Sequence, residues 1–336
     1  MKALGTKLEN TMPHLNRRKI LKHAALLGAA SLGAGGLRAA PAPKEDGVKW
    51  IRLRNGHRVW TQRVGRGPKK VLLLHGGPGL SHDYMQCFAD YLPRAGYELY
   101  FYDQLGCGRS DKPADTSLWT LPRYLDEVEE VRAGLGLDHM ILAGHSWGGI
   151  LGIEYSLRHP DRLNGFVLSD MTASFADYGA YTRHLRDQLP EPVRARLAAL
   201  EQAGQQNGEE YGAIIQRELY ARYICRSDPW PEPVQRSLAG INPVIYNQMQ
   251  GPDEFTLTGN LRDWDRWADL PRIHTPTLVM GARYDEMNPD SIRREAQLIP
   301  NSSLFISERG SHLAMWDDQK AYFEAVLRFL QSLDVL

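Results

Sequence analysis

The sequence predicts an α/β fold: a mostly parallel twisted sheet with helices on both faces and an inserted helical cap. Three observations carry that expectation. First, short apolar runs alternate with helical stretches from Lys70 to Asp170, the pattern of strands buried on both faces. Second, Gly144-His145-Ser146-Trp147-Gly148 follows the apolar run Met140–Ala143 and precedes a helical stretch from about Gly149 to Arg158. Strand, G-x-S-x-G and helix in that order is a nucleophile elbow. Third, the alternation stops between about Met171 and Trp267 and then returns.

The elements follow in order. Val48–Leu53 and His57–Val64 flank Asn55-Gly56, a strong hairpin signal. Lys70–Leu74 is a short strand that runs into His75-Gly76-Gly77-Pro78-Gly79. A helix is expected over about His82–Ala95, then a strand over Tyr97–Tyr102 that ends at Asp103-Gln104 and a Gly-rich turn. A second helix covers about Leu121–Gly134, followed by the elbow strand and helix. Phe166–Asp170 is another buried strand. Beyond it lie helical, charged and Pro-interrupted stretches such as Val193–Ala203 and Glu209–Tyr223. Strands resume at Thr277–Gly281 and Leu304–Ser307, and a helix closes the chain over Gln319–Ser332. The expected organisation is a core of residues 48–170 plus 268–336, with a cap at 171–267.

Composition narrows the function classes. The 336 residues carry 40 basic and 40 acidic side chains, but seven of the basic ones and one acidic one fall in the first 39 residues. The remainder has a net charge of −6 and no basic stripe for nucleic acid. Residues 1–42 read as an export segment. Asn16-Arg17-Arg18-Lys19-Ile20-Leu21-Lys22 resembles the twin-arginine motif, an Ala/Gly-rich run follows, and Ala40-Pro41-Ala42 suits cleavage. That implies the twin-arginine machinery as a partner and a periplasmic or secreted location, with an uncleaved membrane anchor as the rival. Cys87, Cys107 and Cys225 form neither a disulfide framework nor a zinc signature. Cys107 is read as a turn residue rather than a nucleophile.

The chemistry starts from Ser146. A serine hydroxyl needs an adjacent base, and the base needs a carboxylate to fix its tautomer. The order Ser, Asp/Glu, His is met by Asp285 after the Thr277–Gly281 strand and His312 after the Leu304–Ser307 strand. Glu286 sits beside Asp285, which could instead cap the next helix. His145 is read as a packing residue and Asp103 as a structural one. The oxyanion needs N–H donors: Trp147, which follows the nucleophile, and Gly77, with Gly76 as rival. Pro78 has no N–H and is excluded. No metal or cofactor is called for.

Together, HGGPG at 75–79, the Asp103-Gln104-x-Gly106-x-Gly108-x-Ser110 turn and GHSWGG at 144–149 resemble the proline iminopeptidase family of α/β-hydrolases. The resemblance spans most of residues 50–336. It continues at Gly251-Pro252-Asp253-Glu254-Phe255 and His312-Leu313-Ala314-Met315-Trp316. It implies release of an N-terminal residue, preferably proline, from peptides or small amides through an acyl-enzyme. It also implies cap glutamates that hold the substrate's free amine. Glu254 matches one of them, and Glu218 is the best placement for the second. Trp147 and Phe255 are candidate walls for a proline ring. The alternatives are an amidase of amino acid amides, or an esterase or lactonase using the same triad.

Overall fold

The computed structural model describes residues 46–333. The expected export segment at 1–42 lies outside the described residues. Among the described residues no helix is long and apolar enough to cross a membrane.

The strands are β1 (Val48–Arg52), β2 (Arg58–Val64), β3 (Lys69–Leu74), β4 (Tyr97–Tyr102), β5 (Met140–His145), β6 (Leu163–Ser169), β7 (Thr277–Ala282) and β8 (Ser302–Ser307). They form one sheet in the order β1-β2-β4-β3-β5-β6-β7-β8. The β1–β2 and β2–β4 pairs are antiparallel and every other pair is parallel. Side chains alternate across the sheet, so each buried strand feeds two cores. Leu72, Leu74, Leu142, Leu168 and Val279 pack into one, while Val71, Leu73, Ile141, Val167 and Leu278 pack into the other. This is why the strands read as continuous apolar runs.

Two expected helices come out differently. Residues 82–95 form three short turns, His82–Met85, Phe88–Tyr91 and Pro93–Ala95, rather than one helix. Asp103 at the end of β4 accepts both the backbone N–H of His82 (2.9 Å) and its ring Nδ1 (2.8 Å), which ties the start of the segment to the sheet. Pro93 lacks the N–H that a continuous helix would use. The stretch from Glu209 is α-helical only to Ile215; it widens into a π turn over Gln216–Tyr220 before one last turn, Ala221–Tyr223.

Between β6 and β7 the chain is helical, with helices at Phe175–Asp187, Glu191–Gln202, Glu209–Ile215, Glu232–Ala239 and Pro243–Met249. The two ends of this insertion meet. Ser174 and Asp265 form an antiparallel bridge, and Phe175 N donates to Trp264 O at 3.0 Å. The insertion also grips the loops at the sheet edge. Asn242 N donates to Gly79 O, and the N–H groups of His312 and Leu313 donate to Tyr223 O and Ile224 O, each at 2.9 Å.

Candidate active site

The elbow forces the geometry of Ser146. Its φ of 56° and ψ of −127° place a non-glycine residue in the left-handed half of backbone space, a strain of about 1–3 kcal/mol that the surroundings must hold. Both flanking glycines are required by close approach. A Cβ at Gly144 would lie 2.1 Å from Gly148 O, and one at Gly148 would lie 2.0 Å from Leu74 O on β3. Ser146 N donates to Ser169 O at 3.0 Å, which fastens the turn to β6. The serine is 8% exposed, nearly buried but still reachable.

His312 and Asp285 meet across the ends of β7 and β8. His312 Nδ1 lies 2.9 Å from Asp285 Oδ1, so Nδ1 carries the proton and Nε2 is left as a base. Burial keeps the imidazole uncharged, its pKa pushed down to about 3. Burial pushes the Asp285 carboxyl up to about 7, opposed by hydrogen bonds from the Met287 N–H and from Asp170. Glu286 Oε1 lies 3.4 Å from the same His312 nitrogen. Asp285, Glu286 and His312 thus hold donor atoms within 4.8 Å of one another. The direct Nδ1–Oδ1 contact is that of a carboxylate orienting a histidine base.

The HGGPG loop presses on the elbow. A Cβ at Gly76 would lie 2.9 Å from the Cβ of Ser146. The two rival donors separate here. Gly76 N–H is already given to Tyr84 Oη at 2.6 Å. The Gly77 N–H, at a φ of +118°, has no acceptor among the described residues. Trp147 opens a helix, so its N–H has no acceptor within that helix.

Gln104 holds loop and elbow together. Its Nε2 donates to His75 O (2.9 Å) and its Oε1 accepts the indole N–H of Trp147 (2.8 Å). Its backbone N–H donates to His75 Nε2, so His75 Nδ1–H donates to Gly76 O at 2.9 Å. Asp103 accepts from His82 and from the Arg109 N–H, as a structural residue would. The indole of Trp147 is thereby locked inward, edge-on to Tyr124. It packs in a different core cluster from Phe255, which lies against Tyr220 and Tyr223.

Glu254 is recessed but keeps some accessible surface. Its carboxylate receives Tyr246 Oη (2.7 Å), Tyr178 Oη (2.9 Å) and Gln250 Nε2 (2.8 Å): neutral donors, with no guanidinium or ammonium among them. Desolvation pushes its pKa up to about 7. Tyr178 Oη also lies 3.5 Å from Glu286 Oε1, so one hydroxyl bridges two carboxyl groups. Glu286 is fully buried, its other oxygen has no partner, and burial followed by the nearby Asp285 charge pushes its pKa up.

Glu218, the expected second carboxylate, is not brought to this pair. It takes Arg217 Nε at 2.7 Å and Arg222 Nη2 at 3.1 Å. The π turn over 216–220 instead carries Tyr220 to Glu254, where its hydroxyl accepts the Glu254 N–H. The second carboxyl group beside Glu254 is Glu286. Its one sequence signal was adjacency to Asp285.

Residues 69–319 match the family model described as the alpha/beta hydrolase fold. The chain is similar to a proline iminopeptidase from Elizabethkingia meningoseptica, 41% identical over 282 residues covering 82% of this chain and 95% of the relative. It is also similar to one from Saccharolobus solfataricus, 37% identical over 81% of this chain and 87% of the relative. Among solved structures, VinJ superposes with a TM-score of 0.82 at 33% identity, covering 86% of this chain and 99% of that one. A proline iminopeptidase from Mycobacterium smegmatis superposes with a TM-score of 0.79 at 30% identity over the same shares. With this site on this fold, the chain belongs to the proline iminopeptidase family of α/β hydrolases.

Proposed function

We propose that this protein is a serine aminopeptidase that releases an N-terminal residue, preferably proline, from peptides. The observation that carries the reading is the pair Glu254 and Glu286, bridged by Tyr178 and, among the described residues, with no guanidinium or ammonium group in an ion pair with either; the one imidazole beside Glu286, that of His312, is held neutral by burial. Two recessed carboxyl groups without a cation are costly to ionise, and a protonated substrate amine supplies the missing charge.

The reaction then runs on this chain's own residues. His312 Nε2 takes the proton of Ser146 as its Oγ attacks the first carbonyl carbon. The oxyanion is met by the N–H groups of Gly77 and Trp147. Collapse of the tetrahedral intermediate breaks the C–N bond, and His312 returns the proton to the leaving amine. Water, deprotonated by His312, attacks the ester on Ser146 and frees the amino acid. Asp285 holds the imidazole tautomer and stabilises the imidazolium in both halves.

Rates on prolyl, alanyl and N-blocked prolyl anilides and on simple aryl esters test the substrate. The prolyl anilide is expected to be fastest and the blocked one the slowest of the anilides. Fast turnover of the blocked anilide overturns the free-amine reading in favour of a general amidase or esterase. Ser146→Ala is expected to lower kcat by about 10⁴-fold or more, and retained activity would refute the nucleophile. We further propose that residues 1–42 direct export through the twin-arginine machinery to the periplasm, on the strength of the Arg17-Arg18 motif and the Ala40-Pro41-Ala42 site. N-terminal sequencing of the periplasmic protein tests it; a chain that starts at Met1 contradicts cleavage.

A further inference from the structure

The mechanism leaves unused a buried carboxyl group that interacts with Asp285. Asp170 directly follows β6, 1% exposed, at a φ of 53°. Its backbone N–H donates to Met280 O on β7, while the preceding residue's carbonyl accepts the N–H of Ser146. Asp170 is therefore wedged between the nucleophile's turn and the strand that leads to Asp285. Positive φ is uncommon outside glycine but several-fold enriched for Asp and Asn.

Its carboxyl group lies near enough to that of Asp285 for each to shift the other's titration. Asp170 Oδ2 accepts from Ser169 Oγ at 2.5 Å and lies 3.9 Å from His145 Nε2. Asp285 Oδ1 is taken by His312 and by the Met287 N–H. One oxygen of each group, Asp170 Oδ1 and Asp285 Oδ2, is buried with no donor. Two carboxylates cannot satisfy one another, but a single proton between them satisfies both.

We propose that Asp170 is a positioning residue for Asp285: as a neutral carboxylic acid it donates its O–H to Asp285 and holds that carboxylate ionised and aimed at His312. The proton sits on Asp170 because Asp285 already collects the imidazole N–H and a backbone N–H, the donors that favour charge. Burial and the Asp285 charge both push the Asp170 pKa up, in the same direction. The other titratable groups that face Asp170 are His145, Tyr84, Tyr322, Asp317 and Glu286. Burial keeps His145 uncharged and both tyrosines protonated, and none of the five donates to Asp170.

The proposal rests on Asp285 being the acid of the triad, and the experiment separates the two. Asp170→Gly removes the donor at a φ that glycine accepts, and Asp170→Asn replaces the O–H with an amide N–H. Asp170→Gly is expected to lower kcat by about 10- to 100-fold, the rate equivalent of one hydrogen bond to a buried charge. KM should hold, and the acid limb of the kcat/KM profile should move to higher pH because Asp285 loses its donor. Asp170→Asn is expected to restore kcat to within about threefold of the parent, with the parent's acid limb. Asp170→Asn impaired as deeply as Asp170→Gly overturns the proposal, as does Asp170→Gly with an unshifted profile. If Asp170→Gly does not fold, Asp170→Asn alone decides, by near-parental or lost kcat. Asp285→Ala with near-parental activity would instead overturn the triad reading itself.

Discussion

His145 ties the nucleophile's strand to the loop of His312: its Nε2 donates to the His312 carbonyl oxygen at 2.8 Å. Its Nδ1 accepts from Tyr84 Oη at 3.0 Å, and the same hydroxyl accepts the Gly76 N–H at 2.6 Å. Burial keeps the ring uncharged, as one donor and one acceptor nitrogen require. The residue before the nucleophile is thus a tie between the base and the oxyanion loop, a structural role rather than that of a base.

Tyr84→Phe should loosen this tie without removing any group that contacts substrate. It leaves the Gly76 N–H and His145 Nδ1 buried and unpaired, at a cost of about 1–3 kcal/mol. Urea denaturation should show that loss, with kcat reduced by roughly tenfold and KM unchanged. Parental stability and parental kcat together would mean that the link carries no load.

The two candidate amine carboxylates make opposite predictions. Glu286→Gln should raise KM for prolyl anilide by about tenfold or more, because the substrate cation loses one of its two carboxyl partners. Glu218→Gln should leave it within about twofold, since Glu218 is engaged by Arg217 and Arg222 near the surface. Steady-state kinetics of both variants settle the assignment, and a larger effect at Glu218 reverses it.

Stability should fall as pH rises through neutrality. Burial raises the Glu254 carboxyl from 4.5 to about 7 and the Asp285 carboxyl from 3.8 to about 7. A folded-state value above the unfolded one means that protonation favours the fold. The contribution is full below the unfolded values near 4 and is lost as pH climbs through about 7. The thermal midpoint of the substrate-free protein should therefore decline between about pH 5 and pH 8. Glu254→Gln, which cannot ionise, should flatten the slope. An equal slope in the variant would remove Glu254 from the account.

Much of the site was legible in the sequence because its requirements are local. Gly144 and Gly148 flank Ser146 because only a hydrogen fits against Gly148 O and Leu74 O. Asp285 and His312 follow strands that announce themselves as apolar runs. The Gly76–Gly77 choice was not legible, because it turns on where the hydroxyl of Tyr84 points. Glu218 was misplaced for a similar reason: helical spacing does not announce a π turn, and five residues of wider helix exchanged Glu218 for Tyr220 at Glu254.

The sequence by itself determined the sheet, the elbow, the chain order of nucleophile, acid and base, and the presence of Glu254 in the insertion. These follow from side-chain alternation and from short-range steric limits, which a linear string records. Only the tertiary structure decided which carboxyl groups face one another. Asp170, Asp285, Glu286 and Glu254 come from three separate stretches of chain, and their meeting depends on how the insertion closes over the ends of β6 and β7. Buried charge interacts through space, and the distances that set it exist only once the chain has packed.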